Sequence, residues 1–259
     1  MSIVVKFGGS ILKDDQAYQD VALELSVLKA RYDKVYAIVS TKKGETERLM
    51  REVAGDELKT LEQALSGYSK NSKFDNPEVS KALIQGELES VDKIVEILGE
   101  CALGVKQTES YSIIARGSYL YGHVLLPESK LKAKELKYDT PIEIISGFGA
   151  VDMNGNIVLL GRNASDYIAA IYAYLHNVEK IIFYKDIDGV FIDLGKPNQR
   201  RLDIITRQEF LNLGNLQVLD QRVLDIYGGE IVVRGLYDLD KSIKIPESGT
   251  IIKGLPESI

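Results

Sequence analysis

Apolar residues along this chain alternate between short continuous runs and longer stretches where they recur every three or four positions. Ile3-Val4-Val5 is the first run and ends in Lys6. Residues 15–31 then place Val21, Leu23, Leu25, Val27 and Leu28 at helical spacing, and Val35–Ser40 is apolar again. Short continuous runs predict strands covered on both faces, and strand–helix–strand over so short a span predicts a βαβ unit. Residues 47–100 read as mostly helical, broken by the turn-rich Asn71–Pro77. Short strands and turns are predicted over 110–140 and a strand over Ile142–Ile145. A hairpin at Asp152–Gly155 leads to Ile157–Leu160. A helix over Tyr167–Leu175, a strand over Ile181–Tyr184, a loop at Gly195–Asn198 and a helix over 206–227 follow. Strands at Glu230–Arg234, Ile243–Ile245 and Gly249–Lys253 close the pattern. No internal repeat or low-complexity linker interrupts it.

The 259 residues suffice for one large α/β domain or two lobes, and 45% hydrophobic with 27% charged residues is a globular balance. Lys+Arg 32 against Asp+Glu 38 gives a net charge of -6, which disfavours nucleic acid or an anionic membrane as the main partner. An anionic ligand would need a locally positive pocket. The lone Cys101 excludes an intrachain disulfide and is expected to fill core; a reducing, cytoplasmic location is the default expectation. No apolar run reaches transmembrane length, and the amino terminus reads as a strand rather than a signal peptide. His123 and His176 lack the company of a nucleophile and are read as structural.

Candidate chemistry gathers where strands end. Lys6-Phe7-Gly8-Gly9-Ser10 runs from a strand through two glycines into a helix. Glycines admit close approach to phosphate, free N–H groups favour an anion, and Lys6 would add a mobile charge. The lysine precedes the glycines, so this is not a Walker A loop, and an ordinary strand–turn–helix entry with a solvent lysine explains it equally well. Thr41–Glu47 (TKKGETE) occupies the next strand end, with Ser40 and Thr46 offering hydroxyls; a solvated loop is the alternative. Glu87 lies on a helix, where a charge ordinarily faces solvent. In Leu160–Asp166, Arg162 suits a carboxylate, while Ser165 and Asp166 fit either a site or a helix N-cap. Asp186 and Asp188, two apart after a strand, suit a metal or ribose site or a plain turn. Gly147-Phe148-Gly149 lacks the third glycine of a dinucleotide fingerprint and is discounted.

Taken in order, these segments resemble the aspartokinase branch of the amino acid kinase family over most of the chain. Lys6–Ser10 is similar to the opening KFGG(T)S. Val39-Ser40 with Gly44 and Thr46 resembles VVSxxxGxTN, and Gln85–Leu88 with Ser90 resembles GExLS. Ser146-Gly147-Phe148, then Leu160-Gly161-Arg162 and Ser165-Asp166, resemble GF…LGRGGSD. Asp186–Phe191 resembles TDVDGVY and Arg201-Leu202-Asp203 resembles RLDEI.

The resemblance implies a three-layer α/β/α sandwich on a mostly parallel sheet. Residues 1–259 would form one kinase domain, with an acceptor lobe over about 1–150 and a nucleotide lobe over about 151–259. It implies transfer of the γ-phosphoryl of MgATP to a carboxylate, that of L-aspartate in aspartokinases. ATP and Mg²⁺ would be the cofactors, the ion being held mainly by phosphates and water. Lys6, Gly8 and Gly9 would grip the transferring group. Ser40 would line the cleft, and Thr46, Glu87, Arg162, Ser165 and Asp166 would hold the amino acid. Lys185, Asp186, Phe191 and Lys196 would contact the nucleotide. A homodimer is expected, and regulatory ACT domains are not, which leaves a separate regulatory subunit as a partner to consider.

Three departures qualify the match. GGSD is Asn163-Ala164-Ser165-Asp166, the threonine of TDVDGV is Lys185, and the lysine of a late GAKVLHP segment is Gln217. Lys185 is expected to replace that lysine's charge. The altered Asn163-Ala164 and Lys42-Lys43 keep open another acid or a phosphonate as acceptor, and Gln217 keeps open a binding subunit without turnover.

Overall fold

The computed structural model describes residues 1–54, 77–99, 106–108, 141–151, 157–159, 161, 163–214, 218–236 and 249–254. Cys101, His123, Arg162, Gln217, the 110–140 segment, the Asp152–Gly155 turn and the Ile243–Ile245 strand fall outside these residues. The described chain runs β1 (Ser2–Phe7), α1 (Asp15–Lys29), β2 (Lys34–Val39), α2 (Glu45–Ala54), α3 (Pro77–Leu98), β3 (Lys106–Thr108) and β4 (Ile142–Ser146). It continues with β5 (Gly149–Val151), β6 (Ile157–Leu159), α4 (Ala164–Leu175), β7 (Lys180–Lys185), β8 (Val190–Ile192), β9 (Arg200–Leu202) and β10 (Ile204–Ile205). The last elements are α5 (Arg207–Asn212), α6 (Arg222–Ile226), β11 (Glu230–Gly235) and β12 (Thr250–Ile252).

Among the described residues eight strands form one sheet in the order β10-β12-β11-β7-β1-β2-β4-β3. β3, β4, β2, β1, β7 and β11 are mutually parallel, and β12 joins β11 antiparallel. β5 and β6 form a separate antiparallel pair. The apolar runs become strands because helices cover both faces. Side chains alternate across a strand. Ile3, Val5 and Phe7 therefore enter one core with α1 and α3, while Val4 enters the other with α4 and α6. β7 divides in the same way: Ile182 and Tyr184 face the α1 side, Ile181 and Phe183 the α4 side. This is the three-layer α/β/α sandwich on a mostly parallel sheet.

Three local expectations are corrected. The helix over 206–227 is two short helices: α5 closes at Leu213 ahead of Gly214, whose φ of 61° is left-handed, and α6 starts at Arg222. The helix expected from Tyr167 already begins at Ala164. Its N-cap is Asn163, at φ 57° and without a side-chain cap bond, so capping does not account for Ser165 and Asp166. Asn tolerates the left-handed region better than most residues, which is how this chain dispenses with a glycine at that position. Leu23 of α1 faces solvent at 50% exposure, because the buried stripe runs through Tyr18, Val21, Ala22, Leu25 and Leu28.

Candidate active site

The parallel strands β1, β2, β4 and β7 end side by side, and the residues that follow them build the site. Lys6, one residue before the end of β1, points to the α4 side of the sheet, as its place two after Val4 requires. Lys185 ends β7 on the same side. Between them stands Asp166 in the first turn of α4, which is 2% exposed. Lys6 Nζ lies 2.7 Å from Asp166 Oδ1, and Lys185 Nζ lies 2.9 Å from Oδ2. The Asp220 backbone N–H also donates to Oδ2, at 3.3 Å. Burial works against ionising Asp166, yet Lys185 and then Lys6 hold its pKa down at about 2. Burial draws Lys6 down to about 8, against the pull of Asp166, and the charge of Lys185 adds to the lowering. The solvent-lysine alternative for Lys6 is thereby corrected.

Gly8 leaves room beside Lys6, and Gly9 lets the turn pass close to the loop after β2. A Cβ on Gly8 would sit 3.2 Å from Lys6 Nζ, and one on Gly9 would press to 2.9 Å of the Thr41 carbonyl. Gly8 N–H donates to the Tyr184 carbonyl at 3.4 Å, which ties the turn after β1 to β7.

A cavity of about 280 Å³ opens in front of this cluster. Lys6, Gly9, Ser40, Thr46, Glu87 and Ser165 all line it, as do Lys42, Lys43 and Asn163. Ser40 Oγ and Ser165 Oγ share a hydrogen bond of 2.8 Å. Glu87 is not the solvent-facing charge that its helix position suggested: it is 3% exposed. Gly86 makes this possible, because a Cβ there would come within 2.6 Å of Leu49 Cδ1, so α3 can pack closely on α2. Burial raises Glu87 to about 8, although backbone N–H groups of Gly147, Phe148 and Thr41 and the charge of Lys6 favour its ionised form. Glu87 Oε2 is buried with no hydrogen-bond partner among the described residues. A buried acceptor left open at a cavity wall suits a cationic ligand group such as an ammonium.

The remaining expected residues stand apart from that cavity. Asp186 is exposed and Phe191 partly buried. Lys196 is exposed and pairs with Asp193 at 2.6 Å. Lys185, expected among the nucleotide contacts, is bound to Asp166. Sequence reasoning missed the backbone donors of Thr41, Gly147 and Phe148 around Glu87, and the N–H of Asp220 on Asp166. Gly147 carried a signal that went unused: a Cβ there would fall 2.4 Å from Ser165 Cβ, so β4 can meet α4 only through glycine. Asp188 instead pairs with Arg201 at 2.6 Å and accepts from Gly235 N–H at 3.2 Å. Among the described residues no group of three His, Cys, Asp or Glu side chains could hold a metal ion. No helix among them is long and apolar enough to cross a membrane.

A parallel sheet whose strand ends carry a glycine turn, a lysine–aspartate–lysine cluster and a cavity has the frame of an α/β phosphate-handling protein. The model of the amino acid kinase family matches residues 1–235. The chain belongs to the amino acid kinase family. Aspartokinase from Pseudomonas aeruginosa is 28% identical over 231 residues, covering 87% of this chain and 53% of that protein. Aspartokinase from Rickettsia prowazekii is 26% identical over 241 residues, covering 92% and 51%. The chain thus spans about half the length of the curated relatives it matches. Escherichia coli aspartokinase III, solved with aspartate and ADP, superposes with a TM-score of 0.69 at 17% identity, covering 99% of this chain and 66% of that one.

Proposed function

We propose that this chain is an ATP-dependent kinase that phosphorylates the side-chain carboxylate of an amino acid, L-aspartate, to an acyl phosphate. The observation that carries the reading is Lys6, paired with buried Asp166 at 2.7 Å, lining the same cavity as Glu87, whose Oε2 has no partner among the described residues. One feature suits an anionic phosphoryl group and the other an ammonium, and an amino acid kinase must hold both at once. The similarity to aspartokinases supports aspartate as the acceptor.

The residues present fit the nucleotide and its ion. The space beside Gly8 that a Cβ would fill lies 3.2 Å from Lys6 Nζ and is room for phosphate against that lysine. Mg²⁺ would be carried mainly by phosphates and water. When bound, MgATP supplies the γ-phosphoryl group. Lys6 and the N–H groups of the glycine turn draw charge from it and hold it in line with the acceptor. Glu87 takes the acceptor's ammonium, Thr46 and Ser165 orient it, and Arg162 takes its α-carboxylate by a two-pronged hydrogen bond. Asp166 holds Lys6 in place. Asp186, Phe191 and Lys196 belong to the nucleotide side of the same proposal, as do the approximate lobes 1–150 and 151–259, a homodimer and a cytoplasmic location.

Lys42 and Lys43 beside Lys6 at the cavity favour a second reading in which the acceptor bears a further anionic group, such as a phosphonate. The test is ATP consumption with hydroxylamine trapping across L-aspartate, L-glutamate, a phosphonate and no acceptor. Hydroxamate with aspartate alone is expected. Hydroxamate with another acid keeps the chemistry and moves the substrate. ADP formed with the phosphonate and no hydroxamate favours the second reading. ATP binding without turnover on any acceptor would overturn the kinase reading.

A further inference from the structure

Thr41 lies two residues beyond β2 and is 6% exposed, although it belongs to the polar loop that borders the cavity. A buried hydroxyl without a partner costs stability, and this one finds its partner far along the chain. Thr41 Oγ1 donates to the carbonyl of Gly86 on α3 at 3.1 Å. That carbonyl belongs to the peptide leading into Glu87, and the Thr41 N–H is among the backbone donors to the Glu87 carboxyl. Thr41 therefore holds Glu87 twice, at the main chain before it and at the tip of its side chain. Glycine at 86 leaves space for the hydroxyl, since a Cβ there would stand 3.2 Å from Thr41 Oγ1.

The other side of Thr41 meets the glycine turn. Its carbonyl would be 2.9 Å from a Cβ on Gly9, so the two backbones pass closely there. Ser40 N–H donates to the Phe7 carbonyl at 3.1 Å, and Lys43 N–H to the Leu12 carbonyl at 3.2 Å. The loop after β2 is thus fixed to the turn after β1 by main-chain bonds and to α3 by the Thr41 side chain. We infer that Thr41 is a positioning residue for the acceptor: its hydroxyl, through Gly86, sets where Glu87 stands relative to the glycine turn. This inference rests on the reading of Glu87 as the acceptor's ammonium site and deepens it. In-line transfer needs the acceptor's reacting end at the phosphoryl group while its ammonium is held at the other end. The span between those two places is the length an acceptor must match, and Thr41 ties them together.

The test is Thr41→Val, which removes the hydroxyl and keeps the branched shape, alongside Thr41→Ser, Glu87→Gln and the double variant Thr41→Val/Glu87→Gln. Each is checked for a cooperative thermal transition, and kcat and the KM of L-aspartate and of ATP are read. Thr41→Val should raise the aspartate KM by about tenfold, with kcat and the ATP KM within about threefold of wild type. Thr41→Ser should restore the aspartate KM to within about threefold. In the Glu87→Gln background the same substitution should add less than about threefold, because its effect runs through Glu87. A folded Thr41→Val with wild-type aspartate KM overturns the inference, as does an equal loss in the Glu87→Gln background. Thr41→Ala is read in its place should Thr41→Val not fold. Should neither fold, a raised aspartate KM in Thr41→Ser overturns the inference instead. Should wild type turn over no acceptor, the kinase reading fails, and calorimetric affinity for L-aspartate replaces KM in the same cycle. Absence of any aspartate binding overturns both.

Discussion

Two buried charge clusters share strand β7, one residue apart and on opposite faces. Lys185 faces α4 and joins Lys6 and Asp166. Tyr184 faces α1 and joins Glu24 and Arg234: the Tyr184 hydroxyl donates to Glu24, and Arg234 Nη2 reaches Glu24 Oε1 at 2.6 Å. Phe7 stacks on the Tyr184 ring at 4.7 Å, and the Arg234 guanidinium lies over the same ring at 4.9 Å from its centroid. The second cluster is balanced, one carboxylate against one cation. It meets apolar core, and burial pushes the tyrosine hydroxyl well above its usual pKa. The first sets two lysines on one carboxylate, and its Lys6 lines the cavity. Burial thus serves two arrangements: one carboxylate and one cation lock β7 to α1 and β11, and two lysines share one carboxylate at the strand ends.

Breaking each cluster should separate these roles. The largest effect expected is Arg234→Met, which strands Glu24 as an uncompensated buried charge. Urea unfolding should show a loss of about 3–5 kcal/mol. Next comes Lys6→Met, expected to cost about 100- to 1,000-fold in kcat while the urea midpoint moves little, because Asp166 keeps Lys185. Glu87→Gln should raise the acceptor KM by about 10- to 100-fold, since an ammonium held by a buried carboxylate is worth more than one held by an amide. The same site carries a pH signature. Glu87 titrates near 8, so below that pH the free protein holds it protonated, and an arriving ammonium favours the carboxylate. Acceptor binding at pH 7 should release a proton. Calorimetry in buffers of different ionisation heats should detect it in wild type and not in Glu87→Gln. The smallest effect is Lys196→Ala. Lys196 is exposed and paired with Asp193, so the ATP KM should shift by about threefold or less.

The balance of the two faces also governs what could be read from the sequence. Ile3–Val5, Val35–Val39 and Ile181–Phe183 announced themselves as strands because helices cover both sides, leaving no polar alternation to confuse them. The glycine turn after Lys6 and the order of the motifs gave the family. The Lys6–Asp166–Lys185 contact was not legible, because it depends on period-two alternation in two strands and on one helical turn, brought together from positions 6, 166 and 185. A lone glutamate on a helix is usually exposed, so only the resemblance marks Glu87 for a ligand; its burial depends on the close approach that Gly86 permits. The single helix expected over 206–227 failed at Gly214, where a left-handed backbone ends α5. The structure around Ser165 and Asp166 departs from a cap because Asn163 takes that position.

The most direct test of the account is hydroxamate formation from L-aspartate and MgATP, compared between wild type and folded Lys6→Met at equal concentration. The account predicts hydroxamate from wild type and its loss, by about 100-fold or more, in the variant. Equal hydroxamate from both would contradict it, since the Lys6 charge at the strand ends would then play no part in phosphoryl transfer.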